Sequence, residues 1–314
     1  MKNNQPKTLQ EAVVYFSNES NCIEYLAAFR WPDGVVVCPT CGSTKVSFLE
    51  NQNRWQCSSR HSKRQFSIKV GTIFEDSPIS LTKWLPVMWM IANCKNGVSS
   101  WEIHRAIGVT QKTAWFMLHR IRLAMKDESA DLLSGEIEAD ETYIGGKAIN
   151  MHAKKKERKV TGMIGKAAVL GLLERDGNAR TMVVEDAKRR TVIPIIRESV
   201  EKGSTIYTDY LATYRVLADE YIHQIVDHAE TYVKGRVHTN GLENFWSLLK
   251  RGIKGTYVAV EPFHLFRYLD EQTFRFNMRK GNDAERFSKV VKRIIGKRIT
   301  YKELIGKEGQ TQAV

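Results

Sequence analysis

The sequence has no hydrophobic run long enough to cross a membrane. A bilayer-spanning helix needs about 20 consecutive apolar residues, and no stretch of the 314 residues approaches that length. The N-terminal stretch MKNNQPKTLQ also lacks the apolar core of a secretory signal. We therefore expect a cytoplasmic protein without a membrane partner.

Cysteine is scarce and odd in number, which argues against a disulfide framework. The chain has five cysteines, and three of them, Cys38, Cys41 and Cys57, are grouped as metal ligands are. Cys22 and Cys94 stand in apolar helical contexts, so we expect them to be buried and without a chemical role.

Acidic residues are also in deficit. The chain has 48 Lys and Arg against 35 Asp and Glu, which gives a net charge of +13 and a pI near 9.5. Such a balance favours a polyanionic partner, nucleic acid before a membrane surface, because attraction to phosphates grows with net charge. Hydrophobic residues make up 42% of the chain, enough for a sizeable core in one or two domains.

The grouped cysteines predict a small zinc-binding module. Cys38 and Cys41 bracket two residues, fifteen residues follow, and Cys57 and His61 bracket three more. Short β-prone runs between the pairs predict two hairpins held by one structural Zn²⁺, a zinc ribbon. The first pair, followed by Gly42, is the specific half of the motif, whereas a solvated surface histidine is the alternative for His61. No strand-then-helix context supports a redox motif.

Residues 80–128 show helical periodicity. The last two predicted helices, SSWEIHRAIG and VTQKTAWFMLHRIRLAM, meet at a short turn that contains Gly108. This pattern is typical of a DNA-binding helix-turn-helix, although small helical bundles share it without touching DNA. By position, we predict contacts to the DNA groove from Thr110, Gln111, Lys112 and Trp115, and contacts to phosphate from Arg120 and Arg122.

A different pattern begins at Gly135. Three strand-like runs, GEIEADETYIGG, KAAVLGLLERDG and ARTMVVEDA, precede a helix, a strand, a helix and a strand, which predicts an α/β layer with a mixed sheet. A polar segment between the first two runs is either a solvated loop or a DNA clamp. Its cations are Lys147, Lys154, Lys155, Lys156, Arg158 and Lys159.

Three carboxylates are candidates for one site. Asp140 lies in the first strand, Asp209 ends a later strand, and Glu243 lies on an amphipathic helix. Each has a structural alternative. Asp140 could be a polar residue at a strand end, Asp209 could cap a helix, and Glu243 could form a capping box with Asn240. Carboxylates that converge repel one another unless divalent cations neutralise them, an arrangement that binds two Mg²⁺ ions for phosphoryl transfer. Lys250 and Lys254 share the polar face of the helix and would hold DNA.

The order of these motifs resembles a known family. The CPxCGS ribbon, the run QFSIKVGTIFEDSPISLTKWL, the paired helices, DETYIGGK and HTNGLENFWSLLKRGIKGTY resemble bacterial insertion-sequence transposases with an N-terminal zinc ribbon and helix-turn-helix, from about Glu24 to Lys302. The resemblance implies a ribonuclease-H-like core with a DDE triad, here Asp140, Asp209 and Glu243, that uses two Mg²⁺ or Mn²⁺ ions. The 34-residue spacing of the last two acids is similar to that of the superfamily.

The resemblance extends to several accompanying residues. Lys250 matches the basic residue found seven positions after the glutamate. His228 and His238 resemble family positions near the site and are either supporting or DNA-contacting residues, or ordinary surface histidines. The ribbon departs from the family, whose last ligand pair is usually CxxC and not Cys57 and His61.

We therefore predict an α/β protein: a ribonuclease-H-like mixed-sheet core preceded by a small zinc ribbon and an α-helical helix-turn-helix domain. The predicted division is N-terminal helices 1–34, zinc ribbon 35–79, helix-turn-helix 80–128, catalytic domain 135–258 and a basic helical segment 259–314.

The predicted function is that of a DNA transposase in the bacterial cytoplasm or nucleoid. Its partners would be double-stranded DNA, both the terminal inverted repeats and the target, and we expect a homo-oligomer on DNA because two ends must be brought together. The alternatives are a non-catalytic DNA-binding regulator and a stand-alone nuclease that cuts DNA without joining it.

Overall fold

Both ends of the chain contribute to the first of two structural units. The computed structural model describes residues 5–145, 166–209, 212–226, 238–258 and 260–307. One unit comprises Met1–Lys126 and Gly281–Val314, and the other Asp127–Lys280. This division differs from the predicted one, because segment 259–314 is split between the units. The cations predicted between Lys147 and Lys159, and His228, lie outside the described residues.

The first unit begins with two helices and a small sheet. Helices α1 (Leu9–Tyr15) and α2 (Glu19–Arg30) start where side chains cap their first turns, and Cys22 of α2 is buried as expected. The region predicted as two hairpins is one antiparallel sheet with strand order β1-β2-β3. Its strands are β1 (Val46–Leu49), β2 (Arg54–Cys57) and β3 (Gln65–Phe66).

Three helices follow, in the order predicted. Helix α3 (Leu81–Asn93) is apolar and largely buried. Helices α4 (Ser100–Ile107) and α5 (Gln111–Met125) are separated by a short turn at Gly108, whose φ of +63° is a left-handed conformation that glycine adopts without strain. Thr110 then caps α5, so the turn and the cap together fix where the second helix starts.

The C-terminal helices complete this unit. Helix α9 (Asp283–Lys292) packs against α3, α2 and α5, and α10 (Tyr301–Leu304) is a short helix that we did not predict. Phe287 of α9 is buried, with ring centres 5.5 Å from Phe16 and 5.0 Å from Trp89. The core of the unit is therefore shared between the two ends of the chain.

The second unit is built on the predicted mixed sheet. Its five strands lie in the order β6-β5-β4-β7-β8; β4, β5 and β6 are antiparallel neighbours, and β7 and β8 run parallel to β4. The strands are β4 (Glu136–Ile144), β5 (Ala167–Glu174), β6 (Ala179–Val184), β7 (Thr205–Asp209) and β8 (Ile222–Val226).

Helices pack on both faces of this sheet, because alternate strand residues form two separate hydrophobic clusters. One face carries α6 (Arg189–Ser199) and a 3-10 helix (Ala212–Asp219), where the sequence predicted an α-helix. The other face carries α7 (Asn240–Gly252) and α8 (Leu265–Asn277), and a π-helical turn, Ile253–Tyr257, extends α7. Among the helices of the described ranges, none has the length and apolar character needed to cross a bilayer.

Candidate active site and metal centre

Asp140 lies on β4 directly beneath α7. Its cross-strand neighbour on β5 is Gly171, where an added Cβ would come within 2.5 Å of the Trp246 ring, so only glycine leaves room for the indole. The indole N–H of Trp246 in turn donates a hydrogen bond to Asp140 Oδ2 at 2.8 Å. This contact orients the carboxylate and ties α7 to the strand that carries it.

The electrostatic surroundings of Asp140 indicate that the three predicted acids are neighbours. Burial raises the pKa of Asp140 to about 6, the Trp246 hydrogen bond opposes that rise, and the charges of Asp209 and Glu243 add to it. Carboxylates that lie close together favour a cation among them.

Asp209 is brought beside Asp140 by the strand register. Tyr207 on β7 pairs with Glu138 on the parallel strand β4, and each acid lies two residues further along its own strand. Asp209 Oδ1 is buried and accepts no hydrogen bond within the described part of the chain. A buried carboxylate oxygen without a donor is a suitable ligand for a hard divalent cation.

Glu243 lies in the first turn of α7 and is exposed. The alternative capping box is not formed: Asn240 is already helical, and Thr239 is the N-cap residue without a side-chain hydrogen bond to the helix. Lys250 is half-buried and Lys254 is exposed further along the same segment. Glu243 is therefore available to a ligand, with two cations beyond it.

The donor set of these acids fits Mg²⁺ or Mn²⁺, since all its ligands are carboxylate oxygens. The three carboxylates are not gathered as tightly as a closed metal site, however. Within the described residues, the only cluster of ligand atoms at metal-binding distance is the Cys and His group of the ribbon.

Glu271, which also follows Asp209 in the sequence, has a different environment. It is completely buried on α8, where it accepts hydrogen bonds from Arg275 and from the Tyr257 hydroxyl. These partners compensate its charge, unlike the exposed carboxylate of Glu243.

A second buried acid on β4 was missed by the sequence analysis. Glu138 is only 1% exposed and accepts the backbone N–H of Leu242, in the first turn of α7, at 2.9 Å. Arg175 and the predicted residue His238 lie beside its other oxygen, at 3.4 Å and 3.5 Å. The period-two run of acids in EIEADE was the available signal, because it places Glu138 and Asp140 on one face of the strand.

The neighbour of Asp140 in sequence, Glu141, points to the opposite face of the sheet. The Tyr214 hydroxyl donates a hydrogen bond to its Oε1 at 2.5 Å. The pKa of Glu141 is raised to about 7, chiefly by burial and further by the charges of Asp140 and Asp209, while the Tyr214 hydrogen bond opposes the rise. This carboxyl group was not predicted as part of the site, and nothing in the sequence pattern distinguished it from a solvated acid.

The ribbon brings its four predicted ligands together. The ligand atoms of Cys38, Cys41, Cys57 and His61 all lie within 4.8 Å of one another, with Cys41 Sγ 3.6 Å from Cys57 Sγ and Cys38 Sγ 3.5 Å from His61 Nε2. Tetrahedral zinc ligands lie about 3.8 Å apart for two sulfurs and about 3.5 Å for sulfur and nitrogen. The group therefore fits one structural Zn²⁺.

The ring orientation of His61 is set by a hydrogen bond to the backbone of the next residue. Its Nδ1 donates to the Ser62 carbonyl at 2.6 Å, which leaves Nε2 to face the thiols. A hydrogen bond of this kind fixes the tautomer that a zinc-binding histidine needs. His61 is therefore placed as the fourth ligand and not as a free surface histidine.

The residues predicted to face a DNA groove lie at the start of α5. Thr110 is the exposed cap, the Gln111 amide donates to Ser100 at 2.8 Å, and the exposed Lys112 lies over the Tyr301 ring at 4.5 Å. Trp115 is half-buried against His119. Thr110 and Lys112 are thus the members of this group that solvent reaches most.

Arg120 and Arg122 are placed differently from the prediction. They are only 5% and 1% exposed, and the Arg120 guanidinium donates to two carbonyl oxygens, those of Ile73 at 2.9 Å and Glu75 at 2.7 Å. Buried guanidinium groups cannot contact phosphate without unfolding their surroundings. Both residues support the packing of α5, and we no longer consider them DNA contacts.

Comparisons with known proteins agree with this arrangement of modules. The model of the ISXO2-like transposase domain matches residues 132–277, and that of the transposase zinc-ribbon domain matches residues 17–61. The chain therefore belongs to the insertion-sequence transposases, in the IS1595 family that both models describe.

Two relatives support this assignment. An uncharacterized protein in transposable element ISH50 of Halobacterium salinarum is 28% identical over 252 residues, which cover 75% of this chain and 83% of the relative. An uncharacterized transposase-like protein of Haemophilus influenzae is 35% identical over 98 residues, 31% of this chain and 79% of the relative. No solved structure gives a significant match.

Proposed function

We propose that this chain cuts a DNA strand at the end of its insertion sequence and joins the new 3′-hydroxyl to target DNA. Asp140, Asp209 and Glu243 would hold two Mg²⁺ ions for both steps. The observation that carries the proposal is the convergence of β4, β7 and α7, through which the charges of the other two acids raise the pKa of Asp140.

The strand order supports a ribonuclease-H-like core. Three antiparallel strands are followed by two that run parallel to the first, and α7 crosses the face from which Asp140 projects. The acids then come from the middle of one strand, the end of its parallel neighbour and the helix above them. Acids contributed by two parallel strands and by the helix above them support the proposal of one shared site for a DNA backbone.

The protein side chains of the site have separate tasks. Trp246 fixes the orientation of Asp140 through Oδ2, and Asp209 presents an oxygen that no donor occupies within the described residues. Bound divalent cations would activate the attacking water or hydroxyl and stabilise the departing oxygen. Lys250 and Lys254 would hold phosphates beside the acids. Positioning and charge stabilisation would then carry the reaction, without a covalent enzyme intermediate.

DNA recognition is assigned to the first unit. The ribbon and the pair α4 and α5, as a helix-turn-helix, would contact the terminal inverted repeats, with Thr110, Gln111 and Lys112 at the groove. The exposed side chains of Thr110 and Lys112 support this assignment. We further propose that the protein acts in the cytoplasm as a homo-oligomer that pairs two ends.

The test is cleavage and joining of a labelled duplex that carries the flanking inverted repeat, in Mg²⁺. The wild type should cut at the repeat boundary and join the new 3′ end, whereas Asp140→Asn, Asp209→Asn and Glu243→Gln should bind the duplex without cutting it. Glu201→Gln changes an exposed carboxylate and serves as the matched control. Activity in all three variants would remove the triad.

Two other outcomes would favour the alternatives. Cutting without joining would indicate a stand-alone nuclease. Binding without cutting, in Mg²⁺ and Mn²⁺ alike, would indicate a DNA-binding regulator that keeps the fold without the chemistry.

A further inference from the structure

We propose that Glu138 is a positioning residue that sets the register of α7 on the sheet and thereby places Glu243. The proposal rests on the proposed function, because Glu243 has its role only in that reaction. It concerns a residue that would touch neither metal nor DNA, and it starts from two hydrogen bonds between α7 and β4.

The two hydrogen bonds form a matched pair. Leu242 N–H donates to Glu138 Oε2 at 2.9 Å, and Trp246 Nε1 donates to Asp140 Oδ2 at 2.8 Å. The two acceptor residues, Glu138 and Asp140, are two positions apart on a strand, which corresponds to a rise of about 6.6 Å. The two donor residues, Leu242 and Trp246, are four positions apart on a helix, which corresponds to a rise of about 6 Å. A shift of α7 by one residue would break both contacts.

The Leu242 contact uses a donor that the helix itself leaves free. The first backbone N–H groups of a helix have no partner within it, and Glu243 N–H is the first to bond back, to the Thr239 carbonyl. A carboxylate at that end is also favoured by the helix dipole. Glu138 therefore anchors the turn that carries Glu243 from inside the sheet.

The close approach depends on Gly241. A Cβ at this position would lie 2.8 Å from Glu138 Oε2 and 2.6 Å from Leu173 Cδ2. A side chain at this position would therefore require the Glu138 carboxylate and the Leu173 side chain to move. The glycine thus allows the carboxylate to reach the backbone of the helix.

Arg175 compensates the buried charge of Glu138 and holds the entry to α7. Its Nε lies 3.4 Å from Glu138 Oε1, and its terminal nitrogen donates to the His238 carbonyl at 2.8 Å. The guanidinium also stacks on the Tyr207 ring, 3.9 Å from its centre. The segment before the helix and its first turn are therefore held by one network, and removal of Glu138 would leave Arg175 without its buried partner.

The first arm of the experiment follows the Leu242 amide by residue-resolved hydrogen exchange in the full-length protein. Wild type should protect this amide although it lies in a first helical turn, and Glu138→Ala should lose that protection. Glu138→Gln, which keeps an acceptor oxygen, should retain part of it. Glu136→Gln is the matched control, because Glu136 contacts Arg175 from the same strand without bonding α7.

The second arm measures strand cleavage. In Glu138→Ala we expect kcat to fall and the Mn²⁺ concentration that gives the half-maximal rate to rise. Each should change by about 10 to 100-fold, because a change of this size is usual when a residue that supports a metal site is lost. The KM for DNA should stay within about twofold, and Glu138→Gln should lie between Ala and wild type. A merely structural defect would reduce the active fraction without changing the Mn²⁺ dependence.

The two arms separate failure of this proposal from failure of the proposed function. Wild-type kcat and Mn²⁺ dependence in Glu138→Ala, or an unprotected Leu242 amide in the wild type, would overturn the role of Glu138. If the wild type does not cut DNA at all, the proposed function fails. A Leu242 amide protected through Glu138 would in that case still support the anchoring of α7.

Discussion

Two adjacent acids on β4, Asp140 and Glu141, are half-buried on opposite faces of the same sheet. Each is partly removed from water, and each accepts a side-chain hydrogen bond, from Trp246 and Tyr214 respectively. Burial therefore raises the pKa of both, to about 6 and about 7. The β4 strand carries charge that the fold alone does not compensate, which is consistent with cation binding on one face.

This charge predicts an unusual pH dependence of stability. Because the folded-state pKa of Glu141 lies above its unfolded value, the folded protein binds more protons between about pH 4.5 and 7, and stability must fall as pH rises through that window. At about 1.4 kcal/mol per pKa unit, the loss is on the order of 3–4 kcal/mol. Glu141→Gln keeps a hydrogen-bond acceptor for Tyr214 but carries no charge. As pH rises through this window, the unfolding temperature of the variant should therefore fall less than that of the wild type.

Thermal unfolding from about pH 5 to 8 in Mg²⁺-free buffer measures the difference. The exposed Glu201→Gln variant is the control and should follow the wild type. Identical profiles for wild type and Glu141→Gln would show that Glu141 does not titrate in this window.

The sequence pointed to the three acids, whereas the residues that support them could not be selected from it. Asp140 and Asp209 could be selected because they lie in strand-like runs, and Glu243 because it lies on a polar helix face. The roles of Gly171 and Trp246 depend on which strand lies beside β4 and on which helix crosses it, and a single sequence does not contain that information. Arg120 was assigned to DNA because periodicity cannot distinguish a cation that faces solvent from one that satisfies buried carbonyl groups.

Among the elements, the ribbon depends most on its metal. Its three strands contain two to four residues each, and only a few side chains, such as Trp55 and Phe66, are buried in it. So small a core cannot offset the conformational entropy of the chain without a cross-link. The four ligands provide that cross-link when they bind Zn²⁺.

We predict one Zn²⁺ per chain, and loss of the ribbon fold when it is removed. His61→Cys should keep the metal, because a thiolate can replace the imidazole, whereas His61→Ala should lose it. The measurements are metal content by mass spectrometry and hydrogen exchange over residues 38–66, with the strands β4–β8 as the internal control. Full protection of the ribbon in metal-free protein would contradict a structural role for zinc.

Helix and strand positions were predictable over most of the chain, because apolar residues recur at periods of 3.6 or 2 and turn residues mark the ends. The exceptions have local causes. The segment 212–219 has helical periodicity but forms a 3-10 helix, and α10 is a single turn that is too short to show any period. The three-stranded form of the ribbon depends on pairing across a loop, which periodicity does not report.

At the scale of the whole molecule, the second unit is inserted in the sequence between the two parts of the first unit. The C-terminal segment returns to the first unit, where Gly296 N–H donates to the Gly71 carbonyl and α9 fills the core. This return could not be predicted from the sequence, since α9 has the same amphipathic pattern wherever it packs. We therefore expect DNA binding to require the C-terminal segment that completes the first unit.

A chain that ends at Lys280 should therefore fail to fold its first unit, although it retains all predicted DNA contacts. Phe287→Ala in the full-length protein should cost about 3–5 kcal/mol, because a buried aromatic ring is lost from the core. Phe287→Leu should cost less, and the exposed Lys289→Ala should cost little. Thermal unfolding and binding to the inverted-repeat duplex test these expectations, and wild-type binding by the chain ending at Lys280 would contradict them. Because α9 completes the first unit, to which we assign DNA recognition, truncated copies of this transposase should not compete with the intact protein for the ends.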